Sequence, residues 1–211
     1  MVITKILKSR KERSSYAVYV DDALACLVSD EILAKFGLHA EMQIDGKTME
    51  QLSSAAALDR ARRIAVNFIS YRSRSSREIV DKLTRKGVTP DVAANVVQHL
   101  RDVRLLNDLE FARMFVRDKL RGKPMGKAMM RRKLLEKGIA FQIIERVLKE
   151  YITEEAEQQA AARLAAKKLK VSRARFGGLD SARQQKRLVD YLLNRGFSTE
   201  IAMKTVRNII S

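Results

Sequence analysis

The chain has 211 residues, 46% hydrophobic and 32% charged, with a net charge of +17, no Trp and one cysteine. A lone Cys26 excludes an intramolecular disulfide and a cysteine-held zinc, and no apolar run approaches the roughly 20 residues of a membrane-spanning helix. A reducing, cytoplasmic setting without membrane contact is therefore expected, with polyanions as the favoured partners.

Residues 2–8 alternate apolar and polar, with Val2, Thr4, Ile6 and Lys8 on one side and Ile3, Lys5 and Leu7 on the other. Residues 16–20 and 23–28 are rich in strand formers, and Asp21-Asp22 between them suits a two-residue hairpin, although the favoured Gly is missing. Ser29 can cap a short helix carrying Ile32, Leu33 and Phe36, with Gly37 as its stop. Residues 1–53 thus read as a small β-hairpin and short-helix module. A lone hairpin is marginal in water, so this one should pack on something.

After about residue 54 the apolar period becomes helical. Three segments share one register: Leu83-Thr-Arg-Lys-Gly87-Val88, Leu134-Leu-Glu-Lys-Gly138-Ile139 and Leu192-Leu-Asn-Arg-Gly196-Phe197. Four positions before each leucine stands Ile79, Met130 or Leu188; ten after each glycine stands Val97, Leu148 or Val206. Agreement at several helical offsets in three copies defines a repeat. Each copy should hold an opening helix (near 56–71, 108–121 and 155–170), a central helix ending at the glycine, and a closing helix. The implied divisions are 54–106, 107–152 and 153–211.

Local punctuation agrees with this reading. Ser75-Ser-Arg-Glu78 and Asn107-Asp-Leu-Glu110 have the form of capping boxes. Thr89-Pro90 sets a cap before a first-turn proline, and Ser198 holds the equivalent place in the third copy. Residues 171–180, with Gly177-Gly178, read as the longest irregular connection. The fold class is mainly α, three tandem three-helix repeats behind a small β-containing module.

Charge follows the same divisions. Residues 1–55 carry 7 Lys and Arg against 8 Asp and Glu, whereas 56–106 carry 11 against 5, and 107–152 and 153–211 each carry 12 against 6. Catalytic chemistry finds no support. His39 and His99 lie far apart in sequence with no cysteine or carboxylate cluster beside either, so no metal site is expected. No Gly-rich loop ends in Gly-Lys-Ser/Thr, and Cys26 sits in an apolar strand as a small core residue. The chain is expected to act by binding, without cofactor.

Leu105-Leu106-Asn-Asp108-Leu-Glu-Phe111-Ala112-Arg-Met-Phe115, followed by Met130-Arg131-Arg-Lys-Leu134-Leu-Glu-Lys137-Gly138-Ile139, resembles the central signature of RecX regulatory proteins. Arg72-Ser-Arg74-Ser75-Ser-Arg-Glu78-Ile79 is similar to that family's first-repeat motif, and Tyr191-Leu-Leu-Asn-Arg195-Gly196-Phe197 to its third-repeat ending. The sequence departs from the pattern at the 122–127 loop, at Met129, where Arg is common, and at Lys133, where Glu is common. The resemblance implies a regulator with a curved body of tandem repeats that binds the RecA–single-stranded-DNA filament and suppresses RecA ATPase and strand exchange; a monomer is expected. It also implies binding to single-stranded DNA and to double-stranded DNA.

Basic residues off the apolar face are the candidate contacts. On the second central helix Lys127 and Arg131 share a stripe at i, i+4, with Arg132 and Lys133 beside it; the first repeat offers Arg72, Arg74, Arg77 and Lys82. Lys86, Lys137 and Arg195, just before the glycines, suit the negative ends of helix dipoles. Two other readings of the same charge remain: a sequence-nonspecific nucleic-acid-binding repeat protein without a recombinase partner, and an adaptor for acidic proteins.

Overall fold

The computed structural model describes residues 1–9, 15–175 and 181–210. Strands β1 (Ile3–Lys8), β2 (Ser15–Val20) and β3 (Ala23–Ser29) form an antiparallel sheet in the order β1-β2-β3. Asp21 and Asp22 join β2 to β3 with φ of 47° and 64°, the left-handed pair that a tight hairpin turn requires. Glycine would adopt these angles freely; here other bonds hold the turn. Val2 N donates to Asp21 Oδ1 at 2.9 Å, Asp22 N to Thr4 Oγ1 at 3.1 Å, and Asp21 N to Val2 O at 2.9 Å.

The alternation expected for residues 2–8 is broken. Pairing shifts between Ile3 and Lys5, so Ile3 is fully buried while Leu7, assigned to the same side, is 53% exposed. An extra residue in one strand turns the following side chains to the other face. Helix α1 (Asp30–Phe36) follows the sequence reading: Ser29 Oγ accepts from Ile32 N, and Gly37 closes it at φ 59°.

Helix α2 (Gly46–Ser70) begins ten residues earlier than the sequence suggests. Glycine is a poor helix former and hides the start. Asp45 compensates as N-cap, its carboxylate accepting from Thr48 N at 2.7 Å. The helix serves two cores. Leu52 and Ala56 join Ile3, Val18 and Val28 beneath the sheet; Ala61 and Ala65 join the first repeat.

The remaining helices are α3 (Ser76–Thr84), α4 (Pro90–Asp102), α5 (Asp108–Arg121), α6 (Lys127–Glu136), α7 (Phe141–Tyr151), α8 (Glu154–Arg175), α9 (Ser181–Asn194) and α10 (Thr199–Ile210). Three helices thus belong to each repeat. Residues 171–175, expected to be irregular, continue α8; Gly177-Gly178 lies outside the described residues. The chain divides into two compact units. One comprises Met1–Ser73 and Ile79–Leu106, the other Arg74–Glu78 and Asn107–Ser211, so the first turn of α3 belongs with the second unit.

The shared register is a buried register. Ile79, Leu83, Met130, Leu134 and Leu192 are fully buried, and Leu188 is nearly so. Gly87, Gly138 and Gly196 adopt φ of 78°, 73° and 84°, the left-handed conformation that ends each central helix. Capping is partly as expected. Glu78 N donates to Ser75 Oγ and Ser75 N to Glu78 Oε2, both at 3.2 Å, completing that box. Asn107 Oδ1 caps Leu109 N and Glu110 N, but Glu110 turns to Arg113 at 2.7 Å instead of reaching back. Thr89 makes no side-chain cap; Ser198 Oγ accepts from Ile201 N at 3.2 Å.

One buried position breaks the pattern. Nine residues after each glycine stand Val96, Val147 and Thr205, and Thr205 is 2% exposed. Its Oγ1 has no hydrogen-bond partner among the described residues. A buried hydroxyl without a partner loses its bonds to water and gains nothing in exchange. Thr205→Val should therefore raise stability by about 1 kcal/mol, seen as a higher denaturant midpoint with unchanged slope. An equal or lower midpoint would show that the hydroxyl is satisfied in solution.

Candidate functional site

Within the second unit, one junction is built twice, and it fixes the helices that carry the candidate residues. Ser75 Oγ, at the start of α3, donates to Lys137 O at 2.7 Å, and Lys137 Nζ pairs with Glu78 at 2.7 Å. Ser76 N donates to Asp108 Oδ1 at 2.8 Å. At the next step, Gly126 N and Ala128 N, at the start of α6, donate to Arg195 O and Gly196 O at 2.9 and 3.1 Å. Lys127 N donates to Glu157 Oε1 at 2.8 Å. In both, the start of a central helix meets the glycine end of the following repeat's central helix. A carboxylate from that repeat's opening helix takes one of the free N–H groups.

The approach is close. A Cβ on Gly126 would overlap the backbone of Gly196 and Phe197, and one on Gly138 would lie 2.5 Å from Arg77 Cβ. Gly87 has open space around the same position, as befits the repeat that has none before it.

The eight candidate residues have different surroundings. In the first unit, exposed Arg72 follows α2 and donates to Ser73 O at 2.8 Å, while half-buried Lys82 holds its ammonium 5.2 Å from the Phe68 ring centre. In the second unit, Arg74 is half-buried, and exposed Arg77 has its Cβ beside Gly138. On α6, Lys127 and Lys133 are half-buried; Arg132 is exposed, 3.6 Å from Glu136.

Arg131 differs from the expected open stripe. Its guanidinium donates twice to Glu145 of α7, at 2.6 and 3.1 Å, a bidentate pair within the repeat. The Arg131 hydrogen bonds hold the Glu145 carboxyl below the usual glutamate range, and Lys127 adds to the effect. The carboxyl's contribution to stability is thus complete at neutral pH. It is lost as pH falls through the lowered value. Arg131→Gln should return Glu145 to the ordinary range in a carbon-detected NMR titration; an unmoved midpoint would mean that Arg131 is not what lowers it.

Lys137 and Arg195 also do more than face a helix dipole. Lys137 pairs with Glu78, and Arg195 stacks over Tyr191 with 5.4 Å between its guanidinium and the ring centre. The contacts of Glu145, Asp108 and Glu157 are not signalled in the sequence. Their roles depend on helices that meet across 14 to 32 residues of sequence, outside any single helical period.

Other chemistry is sparse. Burial raises the Cys26 thiol's pKa, which keeps it protonated and unreactive at neutral pH. Among the described residues, no three His, Cys, Asp or Glu side chains are grouped as metal ligands, and no helix is long and apolar enough to cross a membrane.

Comparison with known proteins gives a consistent result. Family models described as the first, second and third three-helix domains of RecX match residues 61–100, 107–148 and 155–206, together more than half of the chain. Similar proteins include the regulatory protein RecX of Listeria monocytogenes serovar 1/2a, 28% identical over 96% of this chain and 73% of that protein. Its namesake from Levilactobacillus brevis is 29% identical over 99% and 77%. A crystal structure of regulatory protein RecX superposes with a TM-score of 0.73 at 25% identity, covering 98% of both chains. RecX from Lactobacillus salivarius gives 0.65 at 26% identity, covering 74% of this chain and 97% of that one. With its three helical repeats each matched in order, this chain belongs to the RecX family of regulatory proteins.

Proposed function

We propose that this chain binds the RecA–single-stranded-DNA filament through its basic repeats and restrains RecA ATPase and strand exchange, acting as a cytoplasmic monomer without catalysis of its own. The observation that carries the reading is the distribution of charge. Each repeat segment has six more Lys and Arg than Asp and Glu, while the first 55 residues have one fewer. A surface repeating in both helix order and charge suits a polyanionic partner that itself repeats.

Arg77 and Arg132 are exposed and are the preferred contacts to test. Arg131 is a poor choice, since a glutamate there would face Glu145 and disturb the repeat itself.

Sedimentation of preformed RecA–DNA filaments is the test. The chain should pellet with filaments at lower concentration than with bare single-stranded DNA, and Arg77→Glu with Arg132→Glu should weaken that preference. Equal binding to both would favour the nucleic-acid repeat reading, and pelleting with neither would contradict both.

A further inference from the structure

Five cations converge on one cavity of the second unit. Arg121 at the end of α5, Lys123 in the 122–126 loop, Arg163 and Lys167 on one face of α8, and Arg195 just past α9 line a space of about 420 Å³, together with Tyr191. That volume falls in the roughly 300–1,000 Å³ range of small-ligand pockets. No carboxylate among the described residues lines it. None of the five forms an ion pair with a carboxylate among the described residues.

We propose that this cleft is a phosphate-binding site. Like charges gathered around one space repel each other, and an anion placed between them reverses the sign of that energy. Phosphate suits the donor set: guanidinium groups offer planar forks that match its oxygens, and ammonium groups offer point charges. The site does not depend on the recombinase reading, and it shares no residue with the α3 and α6 surfaces.

The side chains are mounted on fixed backbone. Pro124, Met125 and Gly126 are buried, and Gly126 N donates to Arg195 O at 2.9 Å, which ties the Lys123 loop to the end of α9. Arg163 donates to Leu120 O at 3.5 Å, and Arg195 is stacked on the Tyr191 ring. The end of a helix ordinarily offers partial negative charge, which would oppose an anion. Here the last-turn carbonyls of α9 already accept hydrogen bonds, Tyr191 O from Arg195 N, Leu192 O from Arg195 N and Phe197 N, and Leu193 O from Gly196 N, which lessens that opposition.

The phosphate could belong to a nucleic-acid backbone or to a free polyphosphate, and two probes separate these sources. Arg163→Glu with Lys167→Glu, in the full chain, changes two exposed residues and should leave the melting curve in place. A control, Arg146→Glu with Lys149→Glu, makes the same change in net charge on exposed α7 positions that do not line the cleft. Binding of a fluorescent oligo(dT) is read by anisotropy and binding of pyrophosphate by calorimetry.

The cleft variant should lose at least tenfold in oligonucleotide affinity. Its salt dependence should flatten by about 1.4 log units per log unit of salt, at about 0.7 for each lost single-strand contact. The control should stay within threefold of the parent. Loss of pyrophosphate binding in the cleft variant as well assigns free polyphosphate to the site; loss of the oligonucleotide alone assigns the backbone phosphodiester. Equal losses in the two variants, unchanged binding of both probes by the folded cleft variant, or a parent that binds neither probe would each overturn the proposal.

Discussion

Gly196→Ala should lower stability by about 3 kcal/mol, combining roughly 1–2 kcal/mol for a left-handed residue that gains a Cβ with the cost of overfilling a packed contact. The residue sits at φ 84°, and an added Cβ would press on Met129, reaching its backbone N and lying 2.5 Å from its Cβ. Backbone cannot rotate away as a flexible side chain does. Gly87→Ala has the same conformational penalty at φ 78° but nothing within 4 Å of the new methyl, so it should cost only about 1–2 kcal/mol. Denaturant melts of the two variants give the comparison. Equal losses would mean that the junction of α6 with the end of α9 is looser in solution than its geometry indicates.

Leu134→Ala should cost about 2–5 kcal/mol, the range for truncating a fully buried leucine and leaving a cavity. Leu134 has no exposed surface and packs among Phe111, Met130, Ile144 and Leu148, from all three helices of its repeat. Its carbonyl also accepts from Lys137 N and Ile139 N, both at 3.1 Å, so the side chain and the helix end share one anchor. Lys133→Ala, one residue earlier and half-buried, removes no core contact and should cost on the order of 0.5 kcal/mol. Similar melting shifts for the pair would mean that the buried face of α6 is assigned wrongly.

These two cases mark what the sequence discloses. Leu134 is legible because its burial follows from a helical period repeated in Leu83 and Leu192. The left-handed role of Gly196 is legible too, since a glycine after an amphipathic run is a local signal. Its second role is not: contact with Met129 arises between residues 67 apart, in different repeats.

The same holds for the candidate surface. The i, i+4 spacing of Lys127 and Arg131 correctly sets them off the core, but spacing alone cannot disclose that Glu145 already holds Arg131. The cleft is a stronger instance. Arg121, Arg163 and Arg195 come from three separated stretches and follow no shared register, so only the packing of α8 and α9 against the 122–126 loop gathers them. Thr205 shows the reverse, a polar residue in an apolar register that the fold buries despite its hydroxyl.

The proposed function is tested most directly by RecA ATPase on single-stranded DNA during titration with this chain. The rate should fall to saturation, and markedly less for Arg77→Glu with Arg132→Glu when that variant melts as the parent does. A rate that stays at the value for RecA alone at every ratio of the two proteins would contradict the proposed function.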